Sequence, residues 1–246
     1  MRNVSVDLAA RTVTYEGGCL FGDVDSALAA HGLATVGGLY NQTGVGGLVL
    51  GGGHGFLTAR HGLAIDNLVS VEMVLADGSI VEVSETQKPD LFWAVRGAGA
   101  QFGIVTRFTS RAHPQGNVWG GALLFTLDKV PELIAFATAF ANRGEHYIAV
   151  MGLMYDDASL DAEVRAFKRE LSDYITTTCG YKGKRAPGDP APCYVNLEHE
   201  ALSPEDAFGD HVEQLRELKC RYDPQNVFHK WHGVVVEPKT PTSGQV

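Results

Sequence analysis

Seven glycines fall within twelve residues at Gly44-Val45-Gly46-Gly47-Leu48-Val49-Leu50-Gly51-Gly52-Gly53-His54-Gly55. Glycine at this density opens torsions closed to other residues and leaves amide N–H groups unshielded by side chains. A run of such groups forms a concave anion trap suited to the pyrophosphate of a dinucleotide. A flexible surface loop is the plainer alternative. The intercalated Val45, Leu48, Val49 and Leu50 read instead as buried, where a solvated linker carries Ser, Asn or Lys.

At 246 residues the chain is long enough for one large domain or two small ones. A net charge of −9, from 20 basic and 29 acidic residues, leaves no basic stripe for phosphate backbones, so a nucleic-acid binder is not expected. No apolar run reaches the roughly 18 residues a bilayer span requires. Met1 to Asp7 has no apolar leader core, so no signal peptide is expected and the chain as written is cytoplasmic, or else begins partway into a longer ancestor. Cys19, Cys179, Cys193 and Cys220 lack metal-binding spacing, and no metal site is expected. A Cys179–Cys193 disulfide and free buried thiols both remain open.

Alternating Val4, Val6 and Leu8, followed by Thr12 to Tyr15, predict a strand pair over 3–16. Leu20, Val24, Leu28 and His31 share one helical face, with Gly32 as the stop. Val69–Leu75 and Ile80–Val83 flank Ala76-Asp77-Gly78-Ser79, a hairpin signal. A short helix over Asp90–Val95 and a strand over Gly103–Thr109 follow. Beyond Pro114, helical periodicity appears at Val130–Ala141 and Leu160–Tyr174, then a proline-rich linker over 182–192, and one last helix over Glu205–Arg221. The fold class is α+β.

A dinucleotide fingerprint of the Rossmann kind should follow a buried strand and open a helix, and Leu48-Val49-Leu50 is too short for that strand. A Walker loop is excluded because no Gly-Lys-Ser/Thr follows the glycines. The order of motifs is more telling: Thr43 to Gly55, Gly62-Leu-Ala-Ile-Asp-Asn-Leu68, Ala76-Asp-Gly78, Asp90-Leu-Phe-Trp-Ala-Val-Arg-Gly97 and Gly103-Ile-Val-Thr106. Together they resemble the PCMH-type FAD-binding domain of flavin-linked oxidases, in the branch of berberine bridge enzyme and 6-hydroxy-D-nicotine oxidase. Tyr194-Val-Asn196, Leu215 to Lys219 and Tyr222-Asp-Pro-Gln-Asn-Val-Phe228 resemble that family's closing segment.

The resemblance implies three regions: a partial FAD-binding domain over 1–113, a shortened substrate-domain remnant and linker over 114–192, and a berberine-bridge-like segment over 193–246. In this family FAD lies between two α+β halves. Only the second half is matched here, so the first half, with its tethering histidine loop, is expected to be missing. Tyr40, Thr43, Gly44, Val45, Gly46, Gly47, Gly53, His54 and Gly55 would line the cofactor's path. Gly103, Ile104 and Val105 would sit beside the flavin or adenine and bond it from a strand edge. Asn196 and Asn226 would be amide donors to the polar edge of the flavin ring; turn or cap residues are the alternative for both. Tyr194 is the catalytic candidate for taking a substrate proton, against a role as an ordinary core tyrosine. His54 either contacts a phosphate or packs against the glycine turn. Relatives carry a flavin-linking cysteine where this chain has Tyr40, so FAD is expected to be non-covalent.

The activity implied is hydride removal from an alcohol or amine carbon of a small secondary metabolite, with electrons passed to O₂. A truncated, non-redox paralogue or partial gene product acting as a scaffold or binding protein is the alternative. A small-molecule substrate and an oligomer or complementing chain are the partners foreseen; nucleic acid and membrane are not.

Overall fold

The computed structural model describes residues 1–116, 202–230 and 232–234, with isolated positions between 129 and 170. Contacts divide the chain into one unit of Met1–Asn117 with Pro187–Val246 and another of Val118–Ala186. The first carries every element below.

Its centre is an antiparallel sheet of β1 (Val4–Asp7), β2 (Thr12–Glu16), β4 (Leu68–Val74), β5 (Ile80–Ser84) and β6 (Ile104–Arg111), in the order β1-β2-β6-β4-β5. The period of two is visible in β2, where Val13 and Tyr15 are buried between half-buried neighbours. Tyr15 stacks on Phe108 with ring centroids 5.5 Å apart and shares a 2.9 Å hydrogen bond with Ser110 Oγ. Burial pushes its phenol up to about 12. The β4–β5 turn forms as the sequence predicts: Gly78 takes φ 83° and Asp77 Oδ1 accepts from the Ser79 amide at 2.9 Å.

α1 (Phe21–Ala29) buries Phe21, Val24 and Leu28. Asp23 accepts from the Leu20 amide at 2.9 Å and is itself held by Arg2, so both ends of that contact are fixed. The chain leaves α1 at Gly32, φ 64°. A small second sheet pairs β3 (Leu33–Ala34) with β7 (His113–Pro114). Between them in sequence lie α2 (Val45–Leu50), α3 (Thr58–His61) and α4 (Pro89–Ala98), the last broken at Arg96 and Gly97, where Gly97 has φ 130°.

The predicted single helix over Glu205–Arg221 is two. α5 (Pro204–Phe208) stops at Gly209, φ 57°, and α6 (Val212–Tyr222) begins after one 3₁₀ turn. Left-handed backbone at Gly209 ends the helical ladder, which apolar periodicity alone does not reveal. The predicted helices over 130–141 and 160–174, the 182–192 linker, Cys179 and Cys193 lie outside the described residues. Cys19 is buried and free, and Cys220 exposed and free.

Candidate functional site

The glycine-rich segment is not the continuous bare-backbone cradle its composition suggests. Val45–Leu50 winds into α2, with Val45 and Val49 fully buried one turn apart. Four glycines in or beside these six residues disfavour a helix locally; burial of the two valines outweighs that. Gly44 stands at its N-terminus in extended backbone, φ −66° and ψ 133°, bridged to Leu20. The Val45 amide donates to Cys19 O at 3.1 Å and the Phe21 amide to Thr43 O at 3.0 Å. Tyr40 and Thr43 close the turn before it, through a 3.1 Å bond from the Thr43 amide to Tyr40 O.

The glycines then divide into two kinds. At Gly44 and Gly47, both exposed, an added Cβ meets no atom within 4 Å, and at Gly46 the nearest is Gly17 O at 3.7 Å. Their missing side chains leave open space at the first turn of a helix, where N–H groups have no carbonyl four residues back inside the helix. Gly53 and Gly55 are buried. A Cβ at Gly53, φ 77°, would collide with Ala64 Cβ, and one at Gly55 with Gly37 O. These two are bare to let their own chain approach. His54 between them is half-buried, and burial holds its imidazole below the usual value, which favours the neutral ring.

Gly17 joins this turn to β6. Its amide donates to Thr106 O at 2.8 Å, and a Cβ there would lie 2.5 Å from Val105 O. β6 is a central strand, not an edge, but the last β2 partner along it is Glu16 opposite Arg107. Ile104 and Val105 therefore run beyond β2, paired with β4 alone at Val74 and Met73. Ile104 is 58% exposed, whereas Val105 is buried. Gly103 is glycine because a Cβ would strike Val74 O.

The C-terminal segment is fastened beside this strand by a group that sequence reasoning missed. Lys219 is fully buried, and its ammonium donates to Gln101 O at 2.6 Å, Asp223 Oδ2 at 2.7 Å and Phe228 O at 2.5 Å. Asp223, also fully buried, accepts from the Val227 and Phe228 amides at 2.8 and 2.9 Å. Burial pulls the Lys219 ammonium below its usual value. For Asp223 burial acts upward, but the bonds from Lys219, Phe228 and Val227 outweigh it and hold the carboxyl below the usual range. Gln101 adds a bond from its Nε2 to Lys230 O at 3.1 Å. Tyr222 and Arg221 both bond Asp90 on α4, at 3.0 and 2.6 Å. The motifs at 90–97 and 222–228 thus meet, together with Gln101 just before β6. The i, i+4 spacing of Lys219 and Asp223 was the available signal.

Asn226 takes the turn conformation, and the atom it leaves unpartnered is an acceptor, not the amide donor expected for a flavin contact. Its φ of 52° and the bond from its amide to Asp223 O at 2.9 Å make it a turn residue. Its side-chain Oδ1 is buried and has no hydrogen-bond partner, which a bound N–H donor would remedy. Tyr194 and Asn196 lie outside the described residues. Among the described residues no group of His, Cys, Asp and Glu could hold a metal, and no helix is long and apolar enough to cross a membrane.

Comparison with known proteins finds two family matches: FAD binding domain over residues 1–84, and berberine and berberine like over residues 193–235. An FAD-linked oxidoreductase of Aspergillus terreus is 54% identical over 142 residues, which covers 58% of this chain and 29% of that protein. (R)-6-hydroxynicotine oxidase of Paenarthrobacter nicotinovorans is 43% identical over 198 residues, covering 71% of this chain and 43% of that one. The crystal structure of 6-hydroxy-D-nicotine oxidase from Arthrobacter nicotinovorans matches with a TM-score of 0.69 at 19% identity, over 97% of this chain and 81% of that chain. At that identity the likeness concerns the fold. The chain spans 27% to 43% of the length of its first five curated relatives.

Proposed function

Because this chain belongs to the FAD-linked oxidoreductases that join an FAD-binding domain to a berberine-like segment, we propose that α2's first turn, Gly17 and the start of β6 form one wall of its FAD site. The observation that carries this reading is the open space at Gly44 and Gly47, where an exposed helix start admits a ligand to the bare backbone. The Val45 amide is taken by Cys19 O, so the Gly46 and Gly47 amides of the first turn are the donors that suit a pyrophosphate. Ile104 and Val105 offer backbone beyond the end of β2, and Asn226 Oδ1 offers a buried acceptor for a flavin N–H. These residues fit the cofactor.

The bound flavin supplies the hydride acceptor. With flavin bound, Asn196 and Asn226 would hydrogen-bond the ring's polar edge, and Tyr194 would accept the proton of a substrate hydroxyl. Tyr40 carries no thiol, so no cysteinyl bond to the flavin forms at that position, and the contacts named above hold it. The substrate class is a small metabolite oxidised at an alcohol or amine carbon, with O₂ as electron acceptor. The 6-hydroxynicotine named as the substrate of the Paenarthrobacter oxidase supports a small-molecule substrate.

The visible spectrum of the purified protein, recorded before and after acid precipitation, tests this. Flavin absorbance that moves to the supernatant is expected. Protein that stays colourless after soaking in FAD would remove the oxidoreductase reading for this chain.

A further inference from the structure

Lys219 reaches three separate stretches of chain at once: the 3₁₀ turn before β6 through Gln101 O, its own helix end through Asp223, and the following loop through Phe228 O. An ammonium has three N–H donors, and all three are used. Asp223 spends its oxygens on Lys219 and on the Val227 and Phe228 amides. Within the turn so closed, Asn226 Oδ1 is a buried polar atom left without a partner. A methionine would fill the same buried space without the cost of desolvating a charge, and buried ion pairs are often replaceable by apolar residues without loss of stability. What an apolar side chain lacks is direction: three bonds to three segments set the register of the turn against β6.

We propose that Lys219 is a positioning residue that fixes the Asp223–Phe228 turn against the start of β6, so that Asn226 presents its buried acceptor to the cofactor. The assignment rests on the FAD site proposed above. Its first half, ordering of the turn, stands on the bonds alone and is measured without FAD.

The test uses the full chain and the variants Lys219→Met, Asn226→Gly, which removes the side chain and tolerates a φ of 52°, and the double substitution. Two readouts are taken: amide hydrogen exchange over 223–230 in the absence of FAD, and FAD affinity from the quenching of flavin fluorescence. Lys219→Met should speed exchange at Val227 and Phe228 by about 100-fold while the β4 and β6 amides keep their protection. Asn226→Gly should weaken FAD by about 10-fold, the scale of one lost hydrogen bond, and change exchange at Val227 and Phe228 far less than Lys219→Met does. Lys219→Met should weaken FAD as much, and the double variant no more than either alone, because both act through one contact.

Unchanged exchange in Lys219→Met overturns the positioning role. Losses in FAD affinity that multiply in the double variant overturn the link to Asn226. Uptake of no FAD by the unsubstituted chain overturns the cofactor reading, and the exchange result still decides whether Lys219 orders the turn. If Lys219→Met does not fold, the isosteric Asp223→Asn breaks the same pair and is judged by the same two readouts.

Discussion

Gly47 and Gly53 are both glycine, for opposite reasons, and alanine separates them. At Gly47 the added methyl enters open space on a helix. Gly47→Ala should therefore stabilise the fold by about 0.5–1 kcal/mol, since glycine in a helix interior is less favourable than alanine, while weakening FAD by blocking close approach. At Gly53 the methyl meets Ala64 at φ 77°, and Gly53→Ala should cost roughly 2–4 kcal/mol from left-handed strain plus overpacking. Urea denaturation of the two variants checks both signs. Equal effects at the two positions would count against the division of the glycines into ligand-facing and self-packing kinds. Sequence shows the glycine density but not this division, because the collision partners Ala64 and Gly37 lie in other segments.

At the scale of elements, α6 ends on a buried ion pair, Lys219 with Asp223. Asp223 is held below the usual carboxyl range in the folded chain, so the unfolded chain takes up its proton first as pH falls. The stability Asp223 contributes is thus complete above the ordinary aspartate range and is lost as pH drops through the folded carboxyl's own lower value. Asp23 and Glu16, also held low by hydrogen bonds, act with the same sign but are more exposed. Unfolding free energy measured against pH should fall more steeply on the acid side for the unsubstituted chain than for Asp223→Asn; parallel curves would contradict the assignment. The helix itself was legible from its periodicity. Its break at Gly209 was not, because a single glycine within a helical pattern is compatible with continuation.

On the scale of the molecule, one compact unit is assembled from Met1–Asn117 and Pro187–Val246. Leu215, Leu218 and Val234 enter the same core as Phe102 and Phe108, and the Lys219–Gln101 bond crosses 118 residues of sequence. Fragments 1–117 and 187–246, expressed together, should therefore copurify, and removal of the second should expose apolar surface to a hydrophobic dye. Independent elution of two stable fragments would be the contrary result.

The sequence by itself determined the strands, the Asp77-Gly78 hairpin, α1 and the order of flavoprotein motifs, because side-chain period and turn chemistry are local properties of consecutive residues. Only the tertiary structure decided that a glycine-rich segment becomes helix, which glycines stay open to a ligand, and where Asn226 sits. Those outcomes depend on what lies across the gap: a core that buries Val45 and Val49, a carbonyl at Gly37, and a lysine whose acceptor is set by packing rather than by distance along the chain.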